Sequence, residues 1–231
     1  MGAVWQHPSH AGPRFSRATR HPLLERLLAA RLYVITPDQE PDRVAALAAA
    51  TLRGGADVLQ LRHKLLGRGD LLVLARRLRD LTSAAGALFV VNDHLDLALL
   101  SEADGVHLGP EDLSVAGARR VAGDRLLIGA SASMPSTALA AIESGADYIG
   151  AGPAFATPLK PQKPVIGPEG VAAVAVAVGP TVPVFAIGGI DASNLAQLTA
   201  AGLLRVCVVR AVGDATDPES ATRRLRTMLE G

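Results

Sequence analysis

The sequence predicts an α/β protein: a (β/α)8 TIM barrel with a short N-terminal helix and a flexible N-terminal tail. Three observations carry this expectation. Short aliphatic runs alternate with helix-length segments eight times in 231 residues. Such alternation implies a parallel sheet with right-handed crossovers, and eight units is the number that closes a barrel. The core is aliphatic, with 49% hydrophobic residues but only 3% aromatic ones, which suits parallel strands covered on both faces. An internal echo is the third. Gly55-Ala56-Asp57, Ala103-Asp104-Gly105 and Gly145-Ala146-Asp147 precede even-numbered strands, and Ala201-Gly202 takes that place before the eighth. This is a repeat of two βα units. The alternative is an open doubly wound sheet. No G-x-G-x-x-G follows the first strand, which weighs against it.

Residues 1–21 carry Arg14, Arg17 and Arg20, no acidic residue, and Pro8 and Pro13. They read as a disordered tail, with an organellar transit peptide as the lesser alternative and no apolar segment for a secretory signal. Residues 22–231 read as one barrel domain. Leu23, Leu24, Leu27 and Leu28 recur at helical spacing and predict a helix over 22–30. Strands are expected at 31–36, 58–62, 88–93, 105–109, 127–131, 148–152, 182–188 and 205–212. Between them, Leu71, Leu74, Ala75, Leu78 and Leu81 form one stripe of a helix over 70–81. The last helix starts at Asp217 and Pro218 and buries Ala221, Leu225, Met228 and Leu229. The glycines and aspartates of the echo fall at the N-terminal face, where the expected role is to end helices, start turns and maintain the fold.

Composition excludes several classes of function. Lys plus Arg is 23 and Asp plus Glu is 22, for a net charge of +1. A nucleic-acid binder working through a broad basic surface would need a cationic excess. The single cysteine, Cys207, leaves no internal disulfide and no Cys-cluster metal site, and reads as a small core residue. No apolar run reaches the roughly 18 residues that span a bilayer.

Function in a barrel sits at the C-terminal ends of the strands. Those ends are polar here. They offer Gln60, Arg62 and Lys64 on strand 2, Asn92 and Asp93 on strand 3, and His107 leading to Asp112 on strand 4. Ser131 ends strand 5, Thr157 and Lys160 follow strand 6, Gly188-Gly189 end strand 7, and Val209-Arg210 end strand 8. Alternation puts Gln60 and Arg62 on the inner face while Leu59 and Leu61 face the helices, and it turns His107 inward. Two sub-sites separate. Arg62, Lys64 and Lys160, with Asn92, Ser131 and Thr157, make a cationic, donor-rich cluster suited to phosphate oxygens. Asp93 and Asp112 beside it would repel a phosphate unless a divalent cation lay between, so the group suggests a diphosphate with Mg2+. The alternative is a set of salt bridges, for example Arg62 with Asp93. The second sub-site is Gly188-Gly189 with the backbone at Val209-Arg210, the place of the barrel phosphate site. Its alternative is an ordinary tight turn before a helix near Asn194.

From about Arg31 to Glu230 the chain resembles the thiamine phosphate synthase family. The matching segments are Leu32 to Thr36, Gln60 to Lys64, Val91-Asn92-Asp93, Gly105 to Gly109, Ile128 to Ser131, Asp147 to Pro153, Ala186 to Ile190 and Val208 to Val212. The resemblance implies a transferase that joins a pyrimidine methyl diphosphate to a thiazole phosphate, releasing pyrophosphate. It implies that Arg62, Lys64, Asn92, Ser131, Thr157 and Lys160 hold the diphosphate, with Arg62, Lys64, Ser131 and Lys160 catalytic. It implies Mg2+ on Asp93 and Asp112, the pyrimidine at Gln60 and His107, and the thiazole phosphate at Gly188, Gly189, Val209 and Arg210. A cytoplasmic enzyme, a homodimer, no nucleic acid and no membrane go with it. The chain departs from the family pattern at His63, where Asp is common, at Ser133, where His is frequent, at Leu159, where Thr is usual, and at Arg210, where Ser is common. Ser133 weighs against the related thiazole tautomerase, which uses that histidine. Leu159 alone favours a non-catalytic barrel that binds phosphorylated heterocycles.

Overall fold

A computed structural model describes residues 22–158 and 161–230. The tail of residues 1–21, Leu159 and Lys160 lie outside the described residues. The chain runs α1 (Pro22–Ala29), β1 (Leu32–Ile35), α2 (Pro41–Arg53), β2 (Val58–Leu61), α3 (Arg68–Ala85), β3 (Leu88–Asn92), α4 (Leu95–Leu100), β4 (Gly105–Leu108), α5 (Val115–Ala122) and β5 (Leu127–Ala132). It continues α6 (Pro135–Glu143), β6 (Tyr148–Ala151), α7 (Gly167–Val178), β7 (Val184–Ile187), α8 (Leu195–Ala200), β8 (Val206–Val208), α9 (Arg210–Gly213) and α10 (Pro218–Glu230). The strands close a barrel in the order β1 to β8, every neighbour parallel.

Alternation along each strand divides the apolar residues into two cores. Leu59, Leu61, Phe89, Val91, Val106, Leu108, Ile128 and Ile149 face outward into the layer beneath the helices. Tyr33, Val58, Leu88, Leu127, Tyr148, Phe185 and Cys207 fill the barrel interior, and Leu27 of α1 packs into the same cluster. α3 is longer than the stripe over 70–81 predicts. Thr82 continues its buried face, donating to the Leu78 carbonyl at 3.0 Å, and Gly86 ends it with φ of 71°. α10 begins as expected, with the Ser220 N–H donating to Asp217 at 3.0 Å. The eighth strand is the correction. The run 205–212 is continuous in hydropathy, but the chain leaves the sheet after Val208 and coils into α9.

The repeated aspartates do more than start turns. Asp57 accepts from the N–H groups of Arg31 and Leu32, Asp104 from that of Phe89, and Asp147 from that of Ile128. Each carboxylate is also paired with an arginine from a helix: Asp57 with Arg226, Asp104 with Arg79, Asp147 with Arg119. An even strand is thus tied at its base to the odd strand before it and to the outer layer. No helix among the described residues is long and apolar enough to cross a membrane.

Candidate active site

Because the strands are parallel, the polar tips among the described residues reach the same rim. The loop after β2 is held by the loop after β1. Thr36, fully buried, exchanges two hydrogen bonds with the Arg62 backbone, at 3.0 and 3.1 Å. Asp38 accepts from the Arg62 guanidinium at 2.9 Å and from the Lys64 N–H at 2.6 Å. The partner of Arg62 is therefore Asp38 and not Asp93, which instead takes the Lys64 ammonium. His63 stands where the family pattern has an acid and ties the same loop down. Its Nδ1 accepts from the N–H groups of Leu65 and Leu66, at 3.3 and 3.1 Å, so its Nε2 carries the hydrogen donated to the Gln39 carbonyl at 2.8 Å.

Asp93 has φ of 63°, a conformation uncommon outside glycine, and its N–H donates to the His107 carbonyl at 2.9 Å. This bend carries its carboxylate to Asp112, whose own carboxylate accepts from the Gly109 N–H at 2.7 Å. Burial pushes the Asp93 pKa up, but the Lys64 ammonium and the hydrogen bond with Asp112 outweigh it and hold Asp93 below the usual carboxylate range. Burial and the adjoining Asp93 push Asp112 the other way, above it. Two carboxyl groups in contact need a shared proton or a cation between them. Among the described residues no cluster of three or more His, Cys, Asp or Glu side chains completes a metal site. The Asp93–Asp112 pair fits an ion such as Mg2+, which binds through one or two carboxylates and fills its other positions with phosphate oxygens and water.

Inside the rim, Gln60, His107 and Ser131 point into the barrel as alternation requires. His107 Nε2 lies 3.0 Å from the Ser131 hydroxyl, and Asn92 is in register beside His107. Sequence reasoning passed over Asp38, which lies just beyond the first strand, and the inward Tyr33 and Tyr148. The same period-two count that selected Gln60 selects both tyrosines.

On the opposite arc, Gly188 and Gly189 have φ of 101° and 63°. A Cβ on Gly188 would fall 2.5 Å from the Pro153 Cβ, and one on Gly189 would fall 2.4 Å from the Ala156 carbonyl oxygen. The loop carrying the half-buried Thr157 packs on this turn, with Phe155 N–H donating to the Gly188 carbonyl at 2.9 Å. Asn194 closes the turn by donating to the Gly189 carbonyl at 2.8 Å. Beside it the backbone at Val209-Arg210 opens α9, so the first N–H groups of a short helix follow β8. The Arg210 side chain bonds Asp214 on its own helix at 2.8 Å. A cleft of about 610 Å³ lies at the other end of the barrel between Arg26, Asp57 and Arg226. It contains none of the strand-tip residues.

The model of one protein family, described as thiamine monophosphate synthase, matches residues 32–212. The chain belongs to this family. It is 47% identical over 207 residues to a thiamine-phosphate synthase of Gloeobacter violaceus, covering 90% of this chain and 60% of that protein. The chain thus spans less than two thirds of that relative. A thiamine-phosphate synthase of Thermobifida fusca is 45% identical, with 90% and 95% covered. Among solved structures, thiamine phosphate pyrophosphorylase from Pyrococcus furiosus superposes with a TM-score of 0.80 at 38% identity, over 90% of this chain and 98% of that one. The family resemblance read from the strand tips and the closed barrel agree with these relatives.

Proposed function

We propose that this protein is a transferase condensing 4-amino-2-methyl-5-(diphosphooxymethyl)pyrimidine with thiazole phosphate, giving thiamine phosphate and pyrophosphate. One observation carries the reading: Lys64, Asp93 and Asp112 meet at a single rim, with Arg62 fixed beside them. Cations and carboxylates so interleaved suit a metal-bridged diphosphate better than a bare phosphate.

Arg62, Lys64, Asn92, Ser131, Thr157 and Lys160 bind the diphosphate of the pyrimidine substrate. Asp93 and Asp112 would hold Mg2+, which when bound offsets the negative charge of the departing group. Gln60 and His107 face the pyrimidine ring. The bond between the methylene carbon and the diphosphate oxygen breaks with its electron pair leaving on oxygen, and the electron-donating amino group supports the resulting pyrimidine cation. Arg62, Lys64 and Lys160 stabilise the charge that builds on pyrophosphate. Gly188, Gly189 and the backbone at Val209-Arg210 hold the thiazole phosphate so that the ring nitrogen captures the carbon and the C–N bond forms. Little proton transfer is required, which matches a site rich in fixed charge. The inner residues exclude water, protecting the cation from hydrolysis.

The test is a coupled assay on the purified chain. Both substrates with Mg2+ should yield thiamine phosphate and equimolar pyrophosphate, and chelation by EDTA should abolish turnover. Isomerisation of the thiazole without use of the diphosphate would assign the tautomerase reaction, and binding without turnover would assign a sensor.

A further inference from the structure

A file of five side chains crosses the barrel interior. Gln60 Nε2 donates to the Tyr33 hydroxyl at 2.8 Å. The Tyr33 and Tyr148 hydroxyls are 3.0 Å apart, Tyr148 lies 3.3 Å from His107 Nδ1, and His107 Nε2 lies 3.0 Å from Ser131. Each phenol has one hydrogen to give. Tyr33 accepts from Gln60, and the polarity in which every hydroxyl hydrogen finds an acceptor has Tyr33 donating to Tyr148. In that polarity Tyr148 accepts from Tyr33 and gives its own hydrogen to Nδ1. His107 then carries its hydrogen on Nε2 and donates it to Ser131. Ser131 already accepts from His107, and its own hydroxyl hydrogen remains for a group at the rim. Reversing the file beyond Gln60, whose Nε2 can only donate, would leave the Tyr33 hydrogen with no acceptor in the file, and Ser131 would spend its hydrogen on His107 and show only lone pairs. An ionised phosphate oxygen accepts and cannot donate, so it selects the first polarity.

We propose that Tyr148 is a positioning residue: by donating to Nδ1 it fixes the His107 tautomer, which leaves the Ser131 hydroxyl free to donate to the diphosphate. The inference rests on the reading that Ser131 binds the diphosphate. Tyr33 sets the direction of the file from farther away. Tyr33 and Tyr148 are equally deep, 2% and 1% exposed, so removing either hydroxyl perturbs packing alike while their places in the file differ.

The experiment has two readouts. In 15N-histidine NMR of the full chain at pH 8, with His107→Asn to assign the signals, wild type should show Nδ1 unprotonated and Nε2 protonated. Tyr148→Phe should bring in the other tautomer. Wild-type His107 with its hydrogen on Nδ1 overturns the proposal, as does an unchanged tautomer in a folded Tyr148→Phe. In calorimetry with pyrophosphate and Mg2+, Tyr148→Phe should weaken binding about tenfold, the effect of losing one hydrogen bond to a charged group, and Tyr33→Phe by less than about threefold. Equal losses in the two variants would indicate packing alone and also overturn it. Ser131→Ala separates the two readings. If it leaves pyrophosphate affinity intact, the diphosphate assignment of Ser131 fails, while the tautomer measurement decides the role of Tyr148 independently. Should Tyr148→Phe not fold, the wild-type spectrum still decides.

Discussion

Lys64 places its charge on Asp93 while its own N–H is held by Asp38, and Arg62 leans on that same Asp38. Both cations are therefore pre-positioned at the cost of two partly exposed ion pairs. Such pairs stabilise a fold little. On the proposed reading their value lies in donors already fixed at the rim, which need no rearrangement when charge builds on a leaving group. Lys64→Ala and Arg62→Ala should each lower turnover by about 100-fold or more, the typical effect of removing one donor to a developing anion. Thermal unfolding followed by circular dichroism should stay close to wild type in both. Near-normal turnover in both variants would defeat the assignment.

At the level of elements, the barrel separates its two ends by job. Asp104 at the base is buried, takes the Phe89 N–H at 2.8 Å and the Arg79 guanidinium at 2.9 Å, and so joins β3, β4 and α3. Asp104→Ala would leave a backbone donor and a half-buried cation without their acceptor, and should destabilise the protein by about 3 kcal/mol in urea unfolding. The folded fraction should keep normal turnover, since no strand-tip residue is touched. A loss of activity in protein that remains folded would show the two ends to be coupled. The helices between follow the same economy of position. α3 runs past the leucine stripe because Thr82 extends the buried face, and it stops where Gly86 accepts a left-handed turn.

Over the whole molecule, the carboxylates set the response to acid. Asp38, Asp93 and Asp96 have pKa values below the ordinary range. Burial opposes this in each, and hydrogen bonds and nearby cations prevail: the Lys64 N–H and Arg62 at Asp38, Lys64 and Asp112 at Asp93, Arg68 at Asp96. A carboxylate with a depressed folded pKa binds fewer protons folded than unfolded. Its contribution is complete above the unfolded value, about 3.9, and is lost as pH falls through the folded one. Asp112, shifted upward, works in the opposite sense. Hydrogen bonds also hold Asp191, Asp217 and Glu219 low, joined at the last two by nearby arginines. With six such groups against one, the urea midpoint of the metal-free protein should be flat between about pH 7 and 5 and should fall below about pH 4. A midpoint that rises on acidification from pH 5 to 3 would contradict this balance of signs.

The sequence alone determined the architecture and the address of the candidate site. Eight aliphatic runs at barrel spacing favour a closed parallel barrel over an open doubly wound sheet, and period-two alternation then dictates which residues face inward and which end of the strands is polar. These are local properties, decided by the neighbours of each residue along the chain. That is why Gln60, Arg62, Lys64, Asn92, Asp93, His107, Asp112 and Ser131 could be named from composition, spacing and resemblance. What only the tertiary structure decided is who pairs with whom. Asp38, not Asp93, takes Arg62. Asp93 bends into a left-handed conformation to meet Asp112. Tyr33 and Tyr148, 115 positions apart in the chain, hydrogen-bond across the barrel. The strand expected over 205–212 gives way after Val208 to a short helix, because an apolar run does not record where the sheet ends. Hydrogen bonds and ion pairs between side chains form over a few ångströms of space, and closing the barrel brings together tips that the chain keeps dozens of residues apart.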